Sequence, residues 1–406
     1  MKTNTVRAAV LLCAFAGVAG PAAAQGTDDP FESARFRFGP VRFTPAIQIT
    51  SLGRDSNIFN EADDPKSDTT AAVGPSVQLW MRPAGTRLSA RVGAQYLYFS
   101  EFANQRAWNT SNEARWEVPL SRFTPFVDGT YVNSKERMGY EIDSRSRRRD
   151  DSATVGTAYR LAGHTSLVRS FRRFRARYDE DSLLGAALAD ALNRREDRTK
   201  LQLRYVLTPL TTFLVETEVG RDRFELTNLR DADSVRVMSG FQFKPLALVS
   251  GRLFVGYRQF KPLTSSLPDY RGLAASVDAA YINRGSTRFQ VKVDRDVAYS
   301  FEPTRPYYAL FDTGLEVTQR IGPTWEVVGR GSRQTLRYRL LGASAGALTP
   351  KGDVGYVYGG GVGYRPAAAL RLGVDVNYYT RRSAFDGRRD YEGLRVFGSI
   401  SYGIMQ

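Results

Sequence analysis

The stretch Gly285–Phe301, GSTRFQVKVDRDVAYSF, alternates strictly between two kinds of side chain. Apolar residues occupy most of one parity, and polar or charged residues occupy most of the other. A period of two predicts a β-strand with one apolar and one charged face. The stretch is longer than the roughly 5–6 residues of an ordinary soluble strand, and it reaches the roughly 9–11 residues that cross a membrane. We therefore expect the apolar face to meet lipid and the charged face to line water.

Arg295 is the exception, because it falls on the apolar parity near the middle of the stretch. An arginine that faces lipid at the bilayer midplane costs roughly 2–4 kcal/mol. A β-bulge at Asp294–Asp296 would turn the side chain inward instead. The pattern leaves both arrangements open.

The N-terminus has the features of a secretory signal peptide. Lys2 and Arg7 precede the apolar segment Ala8–Val18, and a small-residue motif predicts cleavage between Ala24 and Gln25. The other 382 of the 406 residues contain no cysteine and no apolar run of about 20 residues. We predict a signal peptide at 1–24, a short periplasmic segment at 25–40 and a membrane domain at 41–406.

The same alternation recurs along the mature chain, with short Pro- or Gly-containing turns that alternate with longer polar connections. Short periplasmic turns and long extracellular loops are typical of bacterial outer-membrane barrels. The pattern predicts an all-β, transmembrane, antiparallel up-and-down β-barrel in the Gram-negative outer membrane. About 18 strands are expected, with 16 as the alternative, from a first strand near Val41–Gly53 to a last near Tyr391–Ile404. A barrel of that size encloses an aqueous channel.

The segment Leu167–Tyr178, LVRSFRRFRARY, places four arginines on one parity. If that parity faces the lumen, the row favours anions. The alternative is a charged inner wall whose arginines pair with acidic residues of adjacent strands. The predicted pore-lining basic row, including two residues of the next strand, consists of Arg169, Arg173, Arg175, Arg177, Lys200 and Arg204.

A second basic cluster falls in a predicted extracellular loop and would meet either the phosphates of lipopolysaccharide or an acidic polysaccharide. Its members are Arg145, Arg147, Arg148 and Arg149. A net charge of +15 also suits nucleic-acid binding, but an exported protein does not meet nucleic acid, so no nucleic-acid partner is expected. The expected partners are outer-membrane lipid, lipopolysaccharide and a transported solute, and the oligomeric state is open.

The connection Asp179–Arg198 contains SLLGAALADAL, in which leucines recur at helical spacing. Ser182 suits the N-cap of a short helix that carries Leu184, Leu188 and Leu192. Such a helix would fold inward and constrict the lumen, or rest on the rim. A solvated loop is the alternative.

Catalysis is not expected from this composition. The only histidine, His164, lies beside a predicted periplasmic turn, so neither a Ser/His/Asp triad nor a His/Cys metal site can be built at the extracellular end. We therefore predict a protein that is not an enzyme and that needs no metal or other cofactor.

Three opening segments carry a resemblance to a known family: LGRDSNIFN at Leu52–Asn60, SDTTAAVGPSVQLWM at Ser67–Met81 and RLSARVGAQYLYFS at Arg87–Ser100. They are similar to the first strands of the outer-membrane β-barrel porins encoded with exopolysaccharide and capsule synthesis machinery. The resemblance implies a conduit that exports a polysaccharide, together with a periplasmic export complex. The alternatives are a general or anion-preferring diffusion porin, and a non-conducting scaffold or adhesin. Within the motif, Asp55 and Asn57 suit a turn that their side chains stabilise.

Overall fold

The computed structural model describes residues 29–137, 141–179, 182–183, 185–245, 247–342 and 352–403. The predicted signal peptide and its cleavage site lie outside these ranges. Within them, no helix is both long enough and apolar enough to cross a membrane.

Strands of 11 to 17 residues form the wall, and within the described ranges three shorter strands and one short α-helix accompany them. In chain order the elements are β1 (Phe36–Phe38), β2 (Val41–Asp55), β3 (Asp68–Met81), β4 (Arg87–Phe99), β5 (Ala107–Glu117), β6 (Phe123–Glu136), β7 (Ser146–Ala162), β8 (Thr165–Tyr178), β9 (Ser182–Leu183), β10 (Ala186–Ala187), α1 (Leu188–Leu192), β11 (Arg194–Thr208), β12 (Thr211–Phe224), β13 (Ala232–Phe243), β14 (Val249–Pro262), β15 (Tyr270–Asn283), β16 (Thr287–Tyr299), β17 (Tyr307–Ile321), β18 (Trp325–Arg339), β19 (Asp353–Ala367), β20 (Leu370–Arg382) and β21 (Tyr391–Tyr402).

The wall is a closed antiparallel barrel. Strands β2–β8 and β11–β21 pair in sequence order, and β21 returns to pair with β2 from Ile47↔Tyr402 to Asp55↔Arg395. Seven and eleven strands make 18, so the predicted count is confirmed. The short strand β1 pairs with Val41–Phe43 and covers the edge of β2 that β21 does not reach. Each wall strand therefore pairs with a neighbour on both sides over most of its length, as a bilayer requires.

The two ends of the barrel differ as the sequence predicts. At one end, here called the turn end, neighbouring strands are joined by short turns; both ends of the barrel chain and His164 lie there. At the other, here called the loop end, the connections are longer. In bacterial barrels the end with long connections faces outward from the cell.

Alternate side chains of the wall face opposite environments. Leu201 and Leu203 of β11 are more than 40% exposed on the outer face, whereas Gln202 between them is buried. The same alternation places Val235 and Val237 outside and Arg236 inside. The outer face is therefore an apolar band and the inner face is polar, as expected.

Strand β16 leaves the wall partway along its length. It pairs with β15 from Asn283↔Thr287 to Ala275↔Arg295, and its remaining residues pair with β17 alone. The register is regular through Asp294–Asp296, so the bulge that would turn Arg295 inward is absent. Arg295 stays on the outer parity with Val291, is exposed, and marks the last pair between the two strands.

Candidate functional site: a closure across the lumen

Beyond Arg295, the hairpin of β16 and β17 lies inside the barrel. On one face, Tyr299 and Tyr307 pack on Phe260 of β14, with ring centroids 5.8 and 5.0 Å apart. On the other face, Tyr308 packs edge-on against Tyr338 at 5.4 Å. Because both faces of this hairpin are covered, its apolar side chains near the loop end contact protein instead of lipid. The prediction that the apolar face of Gly285–Phe301 meets lipid holds for Val291. It is wrong for the part of β16 beyond Arg295.

The tip of this hairpin is held from the far side of the barrel. Ser300 Oγ donates a hydrogen bond to Glu141 Oε1 at 2.7 Å, and the Phe301 amide donates to Glu141 Oε2 at 3.2 Å. Glu141 belongs to the connection between β6 and β7, about half-way round the 18-strand wall from β16 and β17. Both Ser300 and Phe301 are completely buried. The hydrogen bonds therefore span the lumen.

Two further connections meet the tip. Arg230, between β12 and β13, donates to the carbonyl oxygens of Ser300 at 2.7 Å and Phe301 at 2.9 Å. Arg389, between β20 and β21, donates to the carbonyl oxygen of Glu141 at 2.6 Å. We call Glu141, Arg230, Ser300, Phe301 and Arg389 the closure.

Burial sets the protonation behaviour of the closure. It raises the pKa of Glu141 above its ordinary value of 4.5, although Arg389, Arg381 and the hydrogen bond from Ser300 act in the opposite direction. Burial also lowers the pKa of Arg230 to about 10. Both shifts follow from loss of water around a charged group.

Helix α1 packs under the closure. Leu188 and Leu192 are buried in a cluster with Ile142, Tyr178 and Phe301. The connection between β8 and β11 therefore folds inward, which is one of the arrangements that the sequence leaves open.

The expected start of this helix is wrong. Ser182 pairs within the small hairpin of β9 and β10, and Ala187 precedes the first helical residue. Gly185, with a φ of 84°, turns the chain between those two short strands and breaks the leucine pattern before the helix begins. Leu184 lies outside the described residues.

Arginines of the inner wall pair with carboxylates. Arg236 lies 3.2 Å from Asp296, and Arg198 lies 3.1 Å from Glu196. Further inward pairs are Arg258–Asp296, Arg198–Asp222, Arg330–Asp375, Arg365–Glu326, Arg371–Glu326 and Arg115–Asp128. Pairing of this kind offsets part of the positive charge of the inner wall.

The predicted pore-lining basic row is divided between the two faces of the wall. On β8 the inward residues are Val168 and Ala176, which are buried, and Arg169 lies directly opposite the outward Leu201. The arginines on the outer face are therefore Arg169, Arg173, Arg175 and Arg177. The anion row is wrong because a shared parity establishes one common face and does not identify which face it is.

Acidic neighbours accompany two of these outward arginines. Arg173 Nε lies 2.7 Å from Asp197, and Arg177 Nη2 lies 2.8 Å from Asp151. The two remaining members of the predicted row do face the lumen. Lys200 Nζ lies 3.8 Å from Glu216, and Arg204 Nε donates to Gln202 Oε1 at 2.6 Å.

The predicted loop cluster is also divided. Arg145 is buried over the Phe99 ring, with Cζ 4.4 Å from the centroid, and burial lowers its pKa to about 9. Arg148 bonds Asp150 and the Tyr178 hydroxyl on the inner side. Only Arg147 and Arg149 share the outer parity, because β7 already begins at Ser146. The prediction that these four arginines form one external cluster is therefore wrong.

The motif at the end of β2 has a structural role, as predicted. Asp55 accepts hydrogen bonds from the Asn57 amide at 3.0 Å and from Arg395 at 2.8 Å. Asn57 Nδ2 donates to the carbonyl oxygens of Glu61 and Glu392. A Cβ at Gly53 would lie 2.1 Å from the Val396 carbonyl oxygen, so that position requires glycine. The motif ties the first loop to the last strand.

No sequence pattern marks Glu141, Arg230, Ser300 or Arg389 as functional residues. Each is one polar residue in a connection rich in polar residues, so local pattern gives no signal for them. Among the described residues, no group of three His, Cys, Asp or Glu side chains is placed to hold a metal ion.

These features define an outer-membrane β-barrel of the porin class. The chain belongs to the family described as "Putative beta-barrel porin 2", whose model matches residues 29–401. The family confirms the outer-membrane location and the channel class predicted from the sequence. None of the curated proteins matches the chain in sequence.

Solved structures that resemble the chain are outer-membrane barrels. A BenF-like porin from Pseudomonas fluorescens Pf-5 is 11% identical, with a TM-score of 0.47 over 89% of this chain and 99% of that one. OpdK from Pseudomonas aeruginosa is 9% identical, with a TM-score of 0.46 over 89% and 98%. The siderophore receptor PirA from Acinetobacter baumannii is 9% identical, with a TM-score of 0.44 over 89% and 80%. Likeness at this level carries no argument about cargo.

Proposed function

We propose that the protein is a gated outer-membrane conduit that exports a polysaccharide. The observation that carries the gating is the closure, in which Ser300 and Glu141 join opposite sides of the loop end at 2.7 Å. Ser300, Arg230 and Arg389 belong to connections, whereas Arg381, which also donates to the Glu141 carbonyl oxygen at 3.3 Å, belongs to wall strand β20. Opening therefore requires rearrangement of loops and leaves the wall intact.

The inner wall supports a cargo of low charge density. Its arginines and carboxylates neutralise one another, so the lumen presents hydrogen-bonding groups without a dominant sign. Hydroxyl-rich polymers bind through such groups. The opening motif, in which Gly53, Asp55 and Asn57 have structural roles, carries the family resemblance that implies polysaccharide export. A periplasmic export complex at the turn end is part of the same proposal.

The anion-preferring porin loses its main support, because the four β8 arginines lie on the outer face. A general diffusion porin and a non-conducting scaffold make different predictions about current. The diffusion porin conducts steadily without any trigger, and the scaffold conducts under no condition.

The test combines electrical and cellular measurements. In planar bilayers, the refolded wild-type chain is expected to show rare, brief openings, and Glu141→Ala is expected to conduct persistently. In cells that make the polymer, loss of the protein should retain the polymer in the periplasm while uptake of small solutes is unchanged. Steady wild-type conductance and normal polymer secretion without the protein would together refute export by a gated conduit.

A further inference from the structure

A cleft on the outer face of the barrel lies at the loop end, away from the lumen. It has a volume of about 340 Å³ and is open to the surroundings. Its lining comprises Arg333, Thr335, Arg337, Gly352, Val354, Arg382, Ser383 and Ala384. Three arginines and no carboxylate are among these residues, so the cleft suits an anion.

The strand register explains how the arginines converge. Thr335 of β18, Val354 of β19 and Arg382 of β20 form one cross-strand row on the outer face. Arg333 and Arg337 lie two residues to either side of Thr335, about 7 Å along the strand. Val354 therefore lies at the bottom of the cleft, with the β18 arginines on one side and Arg382 of β20 on the other.

The end of the β18–β19 ladder makes room for the ligand. Pairing stops at Leu336↔Asp353, so Arg337 has no partner residue on β19. A Cβ on Gly352 would lie 2.3 Å from the Leu336 carbonyl oxygen, so the chain passes too close for any other residue. Gly352 therefore brings the start of β19 close to the backbone beside Arg337.

The described neighbours of Arg333 and Arg382 neutralise little of their charge, so these arginines can bind an anion. Arg382 is 68% exposed, and its only recorded acidic neighbour among the described residues is Asp390, at 3.8 Å. Arg333 lies over the Tyr356 ring with Cζ 5.8 Å from the centroid, which orients the guanidinium without neutralising it. Guanidinium groups bind phosphate oxygens bidentately.

The surface next to the cleft identifies the environment of the ligand. Toward the turn end on the same outer face, Tyr356 and Tyr358 stack at 6.0 Å, and Val362 beyond them is 46% exposed. On β20, Tyr378 and Val376 follow in the same order. A tyrosine belt above an apolar band marks the membrane interface. The cleft therefore lies at the level of lipid headgroups.

We propose that this cleft binds the phosphate groups of a phosphorylated glycolipid of the outer leaflet, the lipid A part of lipopolysaccharide. The acyl chains would lie along the apolar band, and the phosphates would lie between Arg333, Arg337 and Arg382. The proposal does not depend on the cargo of the lumen.

The test measures binding of fluorescent bis-phosphorylated lipid A to the full-length protein in a phosphate-free detergent. The variant carries Arg333→Gln, Arg337→Gln and Arg382→Gln together. The matched control carries Arg173→Gln, Arg177→Gln and Arg195→Gln, which also removes three outward charges, but from arginines beside Asp151 and Asp197. Arg382→Gln alone serves if the triple variant does not fold, because Arg382 ends its strand and is exposed.

Charged hydrogen bonds predict roughly tenfold weaker binding for each arginine lost. The proposal requires this weakening of lipid A binding in the cleft variant, whereas the control should bind within about twofold of wild type. Wild-type protein should bind dephosphorylated lipid A as weakly as the cleft variant binds lipid A. Equal weakening of both variants would attribute binding to general surface charge and overturn the cleft. Displacement of lipid A by millimolar inorganic phosphate, or equally tight binding of a soluble acidic polysaccharide, would overturn the lipid as the ligand.

Discussion

Ser300 Oγ and Glu141 Oε1 lie 2.7 Å apart although 159 residues of chain separate them. Both side chains are buried, and they come from connections on nearly opposite sides of the barrel. The pair converts two loop tips into a bridge across the lumen. The conducting behaviour of the protein therefore depends on a contact between loops.

Removal of the Glu141 carboxylate is expected to open the closure. Glu141→Ala removes the acceptor of the hydrogen bonds from Ser300 Oγ and from the Phe301 amide, each worth about 1 kcal/mol. Arg389 keeps Asp143 at 3.6 Å and Asp353 at 3.7 Å, so the loss falls on the contact between the two loop tips. The loop arrangement should therefore be lost while the barrel remains folded. Single-channel recording should show larger and longer currents than wild type. Asp63→Ala, at an exposed residue of the first loop, is the control and should conduct as wild type does.

The closure should be more stable in acid. The pKa of Glu141 is raised above 4.5 by burial in the closed arrangement, so the closed form holds its proton to higher pH than an open form in water. Acidification from neutral pH therefore favours closure, and a pH above the raised pKa disfavours it. Open probability recorded between pH 4 and pH 8 should rise with pH. In Glu141→Gln, which stays neutral, this rise should disappear; an unchanged pH response would assign it to another group.

The inward position of the β16–β17 hairpin should depend on Asp296. Its carboxylate holds Arg236 and Arg258 of the inner wall. Asp296→Ala should release the hairpin tip and increase amide hydrogen exchange at Ala298–Phe301. Asp294→Ala removes a carboxylate from the same strand and parity, where no ion pair with a described residue is recorded, and should leave exchange at the tip unchanged. Equal protection in both variants would mean that aromatic packing alone holds the hairpin.

Ion selectivity should follow the inner charges and ignore the outer ones. In a Glu141→Ala background, Lys200→Gln with Arg204→Gln removes two lumen charges and should shift the reversal potential in a salt gradient toward cations. Arg173→Gln with Arg175→Gln removes two charges from the outer face of β8 and should leave the potential unchanged. A shift caused by the β8 pair would place those arginines in the pore after all.

The first loop should depend on Asp55 for stability. Asp55→Ala leaves Arg395 buried and unpaired, with an expected loss of about 3–5 kcal/mol. Tyr379→Phe removes only the hydroxyl, which donates to Asp55 Oδ1 and to the Asn57 carbonyl oxygen, with an expected loss of about 1 kcal/mol. Urea unfolding in detergent measures both variants. Similar losses would mean that the Asp55–Arg395 pair contributes little.

The sequence predicts the barrel well because its signals are local. Strand alternation follows from the two environments of each wall strand, and turn residues such as Gly322 and Pro323 mark the turn end. These signals gave the class, the strand count and the roles of Asp55 and Asn57. The sequence leaves the inward fold of α1 open as one alternative, whereas the expected helix start at Ser182 is wrong because helical spacing of leucines alone does not locate an N-cap.

Composition and alternation by themselves determined that this chain forms a closed outer-membrane barrel with a polar interior. Tertiary structure alone decided which parity faces the lumen on β8 and where the apolar end of β16 is buried. A period of two has the same form whether its apolar side meets lipid or an inner wall. Arg175 lies outside and Tyr299 lies inside because of how neighbouring strands pair, and pairing joins residues that are far apart in the sequence.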